Sequence, residues 1–167
     1  SGDVLTFSLA PGAPVGAAID SETGAFTWTP IDNAGTPFSV TIIVRDNGSP
    51  QLDDQETFLI TVNNVAPVAG MIGNTFGRTG ELLSFVVTSN DPSPIDQADH
   101  FHYDIDWDGD GAFDQSGGGE GVSDPILHAF ATAGTHHVTV VVRDHEGAVS
   151  DPFVLPVHIY RLEQVGA

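Results

Sequence analysis

Cysteine is missing from all 167 residues, and so is lysine. The first absence rules out disulfides, Cys-based zinc sites and thiol catalysis, and leaves the redox compartment undetermined. The second leaves four arginines against 23 acids, 17 of them Asp, for a formal net charge of −19. Nucleic acid and anionic membranes are gripped by clustered Lys and Arg, so neither is an expected partner. No apolar run is long enough to span a bilayer, no signal peptide opens the chain, and membrane insertion is not expected. Apolar runs at helical spacing are lacking too. What remains is 40% hydrophobic, with ten Phe and two Trp to fill a core and 19 Gly plus 11 Pro to punctuate it. That is the profile of many short strands joined by turns, an all-β fold. So acidic a surface is either simply solvated or partly occupied by divalent cations, for which Asp oxygens are hard ligands.

Two stretches repeat each other: VTIIVRD at 40–46 and VTVVVRD at 138–144. Alternation places Val40, Ile42 and Val44 on one face of a strand, and Val138, Val140 and Val142 take the same parity. A Gly-containing turn follows each copy. The repeat implies two related modules in tandem, joined near NNVAPVAG at 63–70. The second, 66–160, is expected to hold strands near 68–72, 82–88, 102–107, 126–130, 136–144 and 154–159, a count that suits a seven-stranded immunoglobulin-like sandwich. The first, 1–65, shows strands near 5–9, 15–19, 25–29, 38–46 and 57–64, too few to close one. The expectation is therefore two tandem immunoglobulin-like β-sandwich modules, the first N-terminally truncated, followed by a tail at 161–167. The Ser-Gly start agrees with a fragment of a longer protein.

The segments LTFSLAPGAPVGAAIDSETGAFTWTP, FSVTIIVRDNGSP and FLITVNNVAP, within 4–67, resemble the cadherin-like, Ig-type repeats of bacterial surface proteins and dystroglycan. The segments YDIDWDGDG and HAFATAGTHHVTVVVRDHEGAVS resemble the polycystic-kidney-disease (PKD) domain, with Phe130, Gly134, Val138, Val140, Val142 and Asp144 on its aromatic-x₃-Gly-x₃-Val-x-Val-x-Val-x-Asp pattern. The resemblance implies spacer, adhesion or accessory modules of large secreted or surface-anchored proteins, many bacterial and none catalytic. It names no partner.

The stretch DIDWDGDGAFD, residues 104–114, sets five aspartates in eleven positions. Counted from Asp106, carboxylates fall at positions 1, 3, 5 and 9 of a Ca²⁺ loop, as Asp106, Asp108, Asp110 and Asp114. Gly111 sits at the sharp bend and the Ala112 carbonyl at position 7. Position 12 is Gly117 and not the bidentate Glu of an EF-hand, and Glu120 could reach in only across what is expected to be a flexible Gly run. Two readings stand: Ca²⁺ held by Asp106, Asp108, Asp110, Ala112 and Asp114, or a solvated turn whose Asp side chains cap backbone N–H groups. Mg²⁺ suits the loop less, because it keeps its waters.

Other clusters are weaker. A cadherin-type inter-domain Ca²⁺ site would need more charge than Asp32, Ala34, Asn63 and Asn64 supply. His100 and His102 share a strand face, but no third zinc ligand is evident, and His136 and His137 point to opposite faces. No nucleophile elbow, zinc-protease helix or phosphate loop occurs, and Asp53–Asp54 is one acid pair among many. The sequence thus points to a non-enzymatic extracellular or cell-surface adhesion, spacer or protein-interaction module, with Ca²⁺ as its one candidate cofactor. The rival is an accessory carbohydrate- or substrate-binding module of a secreted hydrolase. Either a protein or a surface glycan could be the partner, and the first module's open sheet edge invites self-association.

Overall fold

The structure, a computed structural model, describes residues 2–30, 37–120 and 124–161. The chain divides into two compact units, Ser1–Asn64 and Val65–Ala167. Apart from one short helix, every regular element among the described residues is a strand, so the all-β expectation holds.

In the first unit, β1 (Leu5–Leu9), β4 (Phe38–Asp46) and β5 (Asp53–Ile60) form an antiparallel sheet in the order β1-β4-β5, while β2 (Ala18–Ile19) and β3 (Phe26–Thr27) make a separate hairpin. The hairpin turn is closed by Asp20, whose Oδ1 accepts from the Glu22 and Thr23 N–H groups at 3.0 and 2.7 Å. Gly24 completes the turn at φ +73°, where a side chain would be strained. Asp46 plays the same part between β4 and β5, accepting from Gly48 N and Leu52 N. β5 starts at Asp53, earlier than the expected 57, because β4 pairs with it from Phe38↔Ile60 to Arg45↔Asp53. Val40 is the one apolar side chain in this unit that is fully buried among the described residues; Ile42 and Val44 are only half covered.

The second unit runs β6 (Val68–Gly73), β7 (Phe76–Arg78), β8 (Leu83–Asn90), α1 (Pro94–Ala98), β9 (His100–Asp106), β10 (Gln115–Glu120), β11 (Ile126–His128), β12 (Gly134–Arg143) and β13 (Phe153–Tyr160). A five-stranded sheet, β10-β9-β12-β13-β7, faces a three-stranded one, β11-β8-β6. Val138, Val140 and Val142 on central β12 are 0% exposed, and they meet Phe85 and Val87 of β8, Ile105 of β9 and Val157 of β13 in one core. Trp107 and Phe130 close it, with ring centroids 5.1 and 6.4 Å from Phe85.

Three elements depart from the sequence expectation. β7 is three residues long and pairs parallel with β13, a non-local contact that no local pattern announces. The Gly run is not a flexible span but strand β10, in register with β9 from Gln115↔Ile105 to Glu120↔His100. Glycine is a poor strand former, yet here it is needed. A Cβ on Gly118 would lie 2.6 Å from the Phe101 carbonyl oxygen, and one on Gly117 would run into the Tyr103 ring. The helix α1 starts on a Ser93 cap with Pro94 in its first turn, and its one buried residue is Asp96.

Candidate functional site

β9 ends at Asp106, and its final side chain turns under the loop that follows. Asp106 is 4% exposed. Its Oδ1 accepts from Gly109 N at 2.6 Å and its Oδ2 from Gly111 N at 2.9 Å. Both glycines hold left-handed backbone, φ +80° and +89°, which lets the chain wrap a carboxylate this closely. Asp108 Oδ1 accepts from Asp110 N at 3.1 Å, and Asp110 Oδ1 from Ala112 N at 2.7 Å. Asp114 returns the chain to the sheet: its Oδ2 accepts from Trp107 N at 2.8 Å while its own N–H donates to Ile105 O at 2.8 Å.

This geometry gathers Asp106, Asp108 and Asp114, with one carboxylate oxygen from each within 4.8 Å of the others. Asp110 is not in that group; its Oδ1 is committed to the Ala112 N–H. Among the described residues nothing donates to Asp108 Oδ2 or Asp114 Oδ1. Each engaged oxygen keeps a second lone pair. The loop is thus an acidic turn internally capped by its own Asp residues, and it also presents carboxylate oxygens at a spacing that a divalent cation can bridge. Next to it, the His128 ring stacks on Trp107 at 4.2 Å. Burial holds this imidazole below its ordinary pKa, the His136 charge adds to the effect, and the Asp114 charge opposes it.

The remaining candidates separate under the structure. Asp32 and Ala34 lie outside the described residues. His100 and His102 are both exposed on β9, and His100 Nδ1 sits 2.9 Å from Asp99 Oδ1. No group of three metal-ligating side chains containing histidine forms among the described residues. Asp53 and Asp54 are exposed on β5.

A second acidic group escaped sequence reasoning. Asp91 follows β8, Asp96 is on α1, and Asp144 and Glu146 follow β12; the first three are buried. Burial pushes the Asp91 carboxyl above its ordinary range, the Asp96 and Asp144 charges push the same way, and the Ser93 N–H opposes them. Glu146 is raised first by its contact with the Asp96 side chain, then by burial and by the Asp96 and Asp144 charges. These acids span more than fifty positions with no motif spacing, so only tertiary pairing unites them.

A third feature lies on the outer face of the five-stranded sheet. Phe76 and Tyr160 are 60% and 57% exposed, with nearly parallel rings (7°) whose centroids are 6.5 Å apart. His158 stacks on Phe76 at 5.3 Å, and its Nδ1 is 3.0 Å from Thr135 Oγ1.

Residues 1–63 match the family model described as Putative Ig domain, in agreement with the resemblance read from 4–67. No curated protein matches the chain. Solved structures similar to it include the PKD domain of an M14-like peptidase from Thermoplasmatales archaeon SCGC AB-540-F20, at 24% identity and TM-score 0.47, covering 58% of this chain and 98% of that one. Fibronectin(III)-like modules of Clostridium thermocellum CbhA align over 97% of this chain and 90% of theirs, at 14% identity and TM-score 0.49. Human protocadherin-24 EC1-2 aligns over 96% and 83%, at 18% identity and TM-score 0.39.

Proposed function

We propose that this chain is a non-catalytic module of a larger extracellular or surface protein, serving adhesion, spacing or protein contact. The match of residues 1–63 to the Putative Ig domain family carries this reading. No helix among the described residues is long and apolar enough to cross a membrane. In the same proposal, Ca²⁺ joins Asp106, Asp108 and Asp114 and stiffens the 104–114 loop, with Asp110 and the Ala112 carbonyl as further ligands. The 4.8 Å convergence of the trio supports it. Ca²⁺ takes six to eight oxygens, so waters fill the rest. The test is thermal melting of the chelator-treated chain: millimolar Ca²⁺ should raise Tm more than NaCl of matched ionic strength, and Asp108→Asn with Asp114→Asn should shrink that difference. Equal effects of the two salts would leave a plain acidic turn. Turnover of peptide, ester or glycoside substrates by the purified chain would refute the non-catalytic reading.

The stacked Phe76, His158 and Tyr160 favour a second reading, an accessory module gripping a neutral polysaccharide, since exposed rings pack on the apolar faces of sugars. Retention on insoluble polysaccharide that is lost in Phe76→Ala/Tyr160→Ala would support it, and no retention would dismiss it. Self-association through the first unit belongs to the same set of proposals. Leu59 and Leu52 are exposed on and beside edge strand β5, where a second copy could add a strand. Sedimentation giving a strict monomer at high concentration would exclude it.

A further inference from the structure

The helix α1 packs the wrong way round for its composition. Ile95 is left exposed, whereas Asp96 is 2% exposed and is the one residue the helix buries. Neither Asp96 carboxylate oxygen meets a hydrogen-bond donor, and Asp91 Oδ2, also buried, lacks one too. The other half of Asp91 is held in place: Oδ1 accepts from Ser93 N at 2.8 Å, and the Asp91 N–H donates to Gln97 Oε1 at 2.7 Å. Asp144 is fixed by a turn, with Ala148 N donating to its Oδ1 at 2.8 Å. A buried carboxylate without a donor is costly unless something neutralises it. Lysine does not exist in this chain, and no salt bridge from an arginine reaches Asp91 or Asp96 among the described residues.

We propose that Asp91, Asp96, Asp144 and the more exposed Glu146 form a second divalent-cation site, distinct from the 104–114 loop and taking Ca²⁺. A single proton shared between Asp96 and Glu146 would neutralise one charge and leave Asp91 Oδ2 without a partner. A divalent ion addresses every orphaned oxygen at once, and hard carboxylate oxygens are what Ca²⁺ selects. The acids come from three separate segments, the ends of β8 and β12 and the helix between β8 and β9, so an ion here ties together both sheets of the sandwich. These oxygens are not gathered in threes within 4.8 Å, as those of the loop trio are, so the ion itself draws them inward. Glu146 is the one member at the surface, where its Oε1 also lies 3.8 Å from His145 Nδ1.

The test uses the full chain carrying Asp108→Asn and Asp114→Asn, which silences the loop, after chelation and then titration with Ca²⁺ alone. Calorimetry should find one bound ion, and Tm should rise with Ca²⁺. Adding Asp96→Asn should weaken binding at least about tenfold, since even partners outside a coordination shell carry that much affinity. Glu146→Gln, at the surface and harmless to packing, should also weaken it and serves if the Asp96 variant fails to fold. No heat and no Tm change in the loop-silenced chain would overturn this site while leaving the loop reading intact. Unchanged affinity in Asp96→Asn or Glu146→Gln would overturn it as well. Stabilisation by falling pH but not by Ca²⁺ would show that a shared proton does the neutralising instead.

Discussion

Val140 offers the most direct test of how the second unit is built. It sits mid-way along β12, the third of five strands, opposite Ile105 of β9 and Phe153 of β13, and is 0% exposed. Val140→Ala removes two methyl groups, a transfer loss of roughly 1.6 kcal/mol at about 0.8 per group. The cavity left between the two sheets adds roughly another 1 kcal/mol, because neighbours on both sides are held by ladders and cannot collapse fully. The sum, about 2.5 kcal/mol, should lower Tm by roughly 10–20 °C in a unit of this size. Val140→Thr keeps the shape and buries an unpartnered hydroxyl, for about 1–3 kcal/mol. Val140→Asp buries a charge, and its cost matches or exceeds the roughly 5–15 kcal/mol that holds a domain of this length together, so the unit should not fold. Denaturant melts read by fluorescence in a Trp28→Phe background isolate Trp107, which lies in the same core. Val154→Ala is the control, on β13 but facing out at 47% exposure. A soluble, cooperatively melting Val140→Asp protein would refute the parity argument, as would an Ala cost no larger than the control's.

Three further outcomes are expected. If the loop binds Ca²⁺ with the folded state alone, a concentration one hundred times Kd should add about 2.7 kcal/mol, and a flat Tm across that titration would exclude the site. Because burial depresses the His128 pKa, the unfolded chain takes up this proton first as pH falls through 6.5, so stability should drop from there toward the lower folded value. His128→Phe should flatten that part of the Tm–pH curve, and an unchanged slope would assign it to another group. Gly118→Ala should cost about 1–3 kcal/mol, because its Cβ meets the Phe101 carbonyl; an unaffected midpoint would mean β10 is not docked as described.

Much of this molecule is written in local pattern. Period-2 alternation in 138–144 was enough to place Val138, Val140 and Val142 in the core, but it did not foretell that Val141, on the opposite face, is buried too at 8% exposure. The aspartate spacing after β9 likewise announced a loop curled on its own carboxylates, since Asx contacts reach only a few residues. The alternation at 40–44 foretold less: Val40 is buried, but Ile42 and Val44 are half covered, because depth depends on what lies opposite and not on the strand itself. β10 was hidden, as glycines carry no strand signal and acquire one only where Tyr103 and the Phe101 backbone leave no room for a side chain. Asp96 was hidden for the same kind of reason. Nothing near position 96 marks it as buried; its enclosure, and its approach to Asp91, Asp144 and Glu146, come from how β8, α1 and β12 are brought together. Local spacing sets which way a side chain points, but long-range packing alone decides which charges must share one dry space.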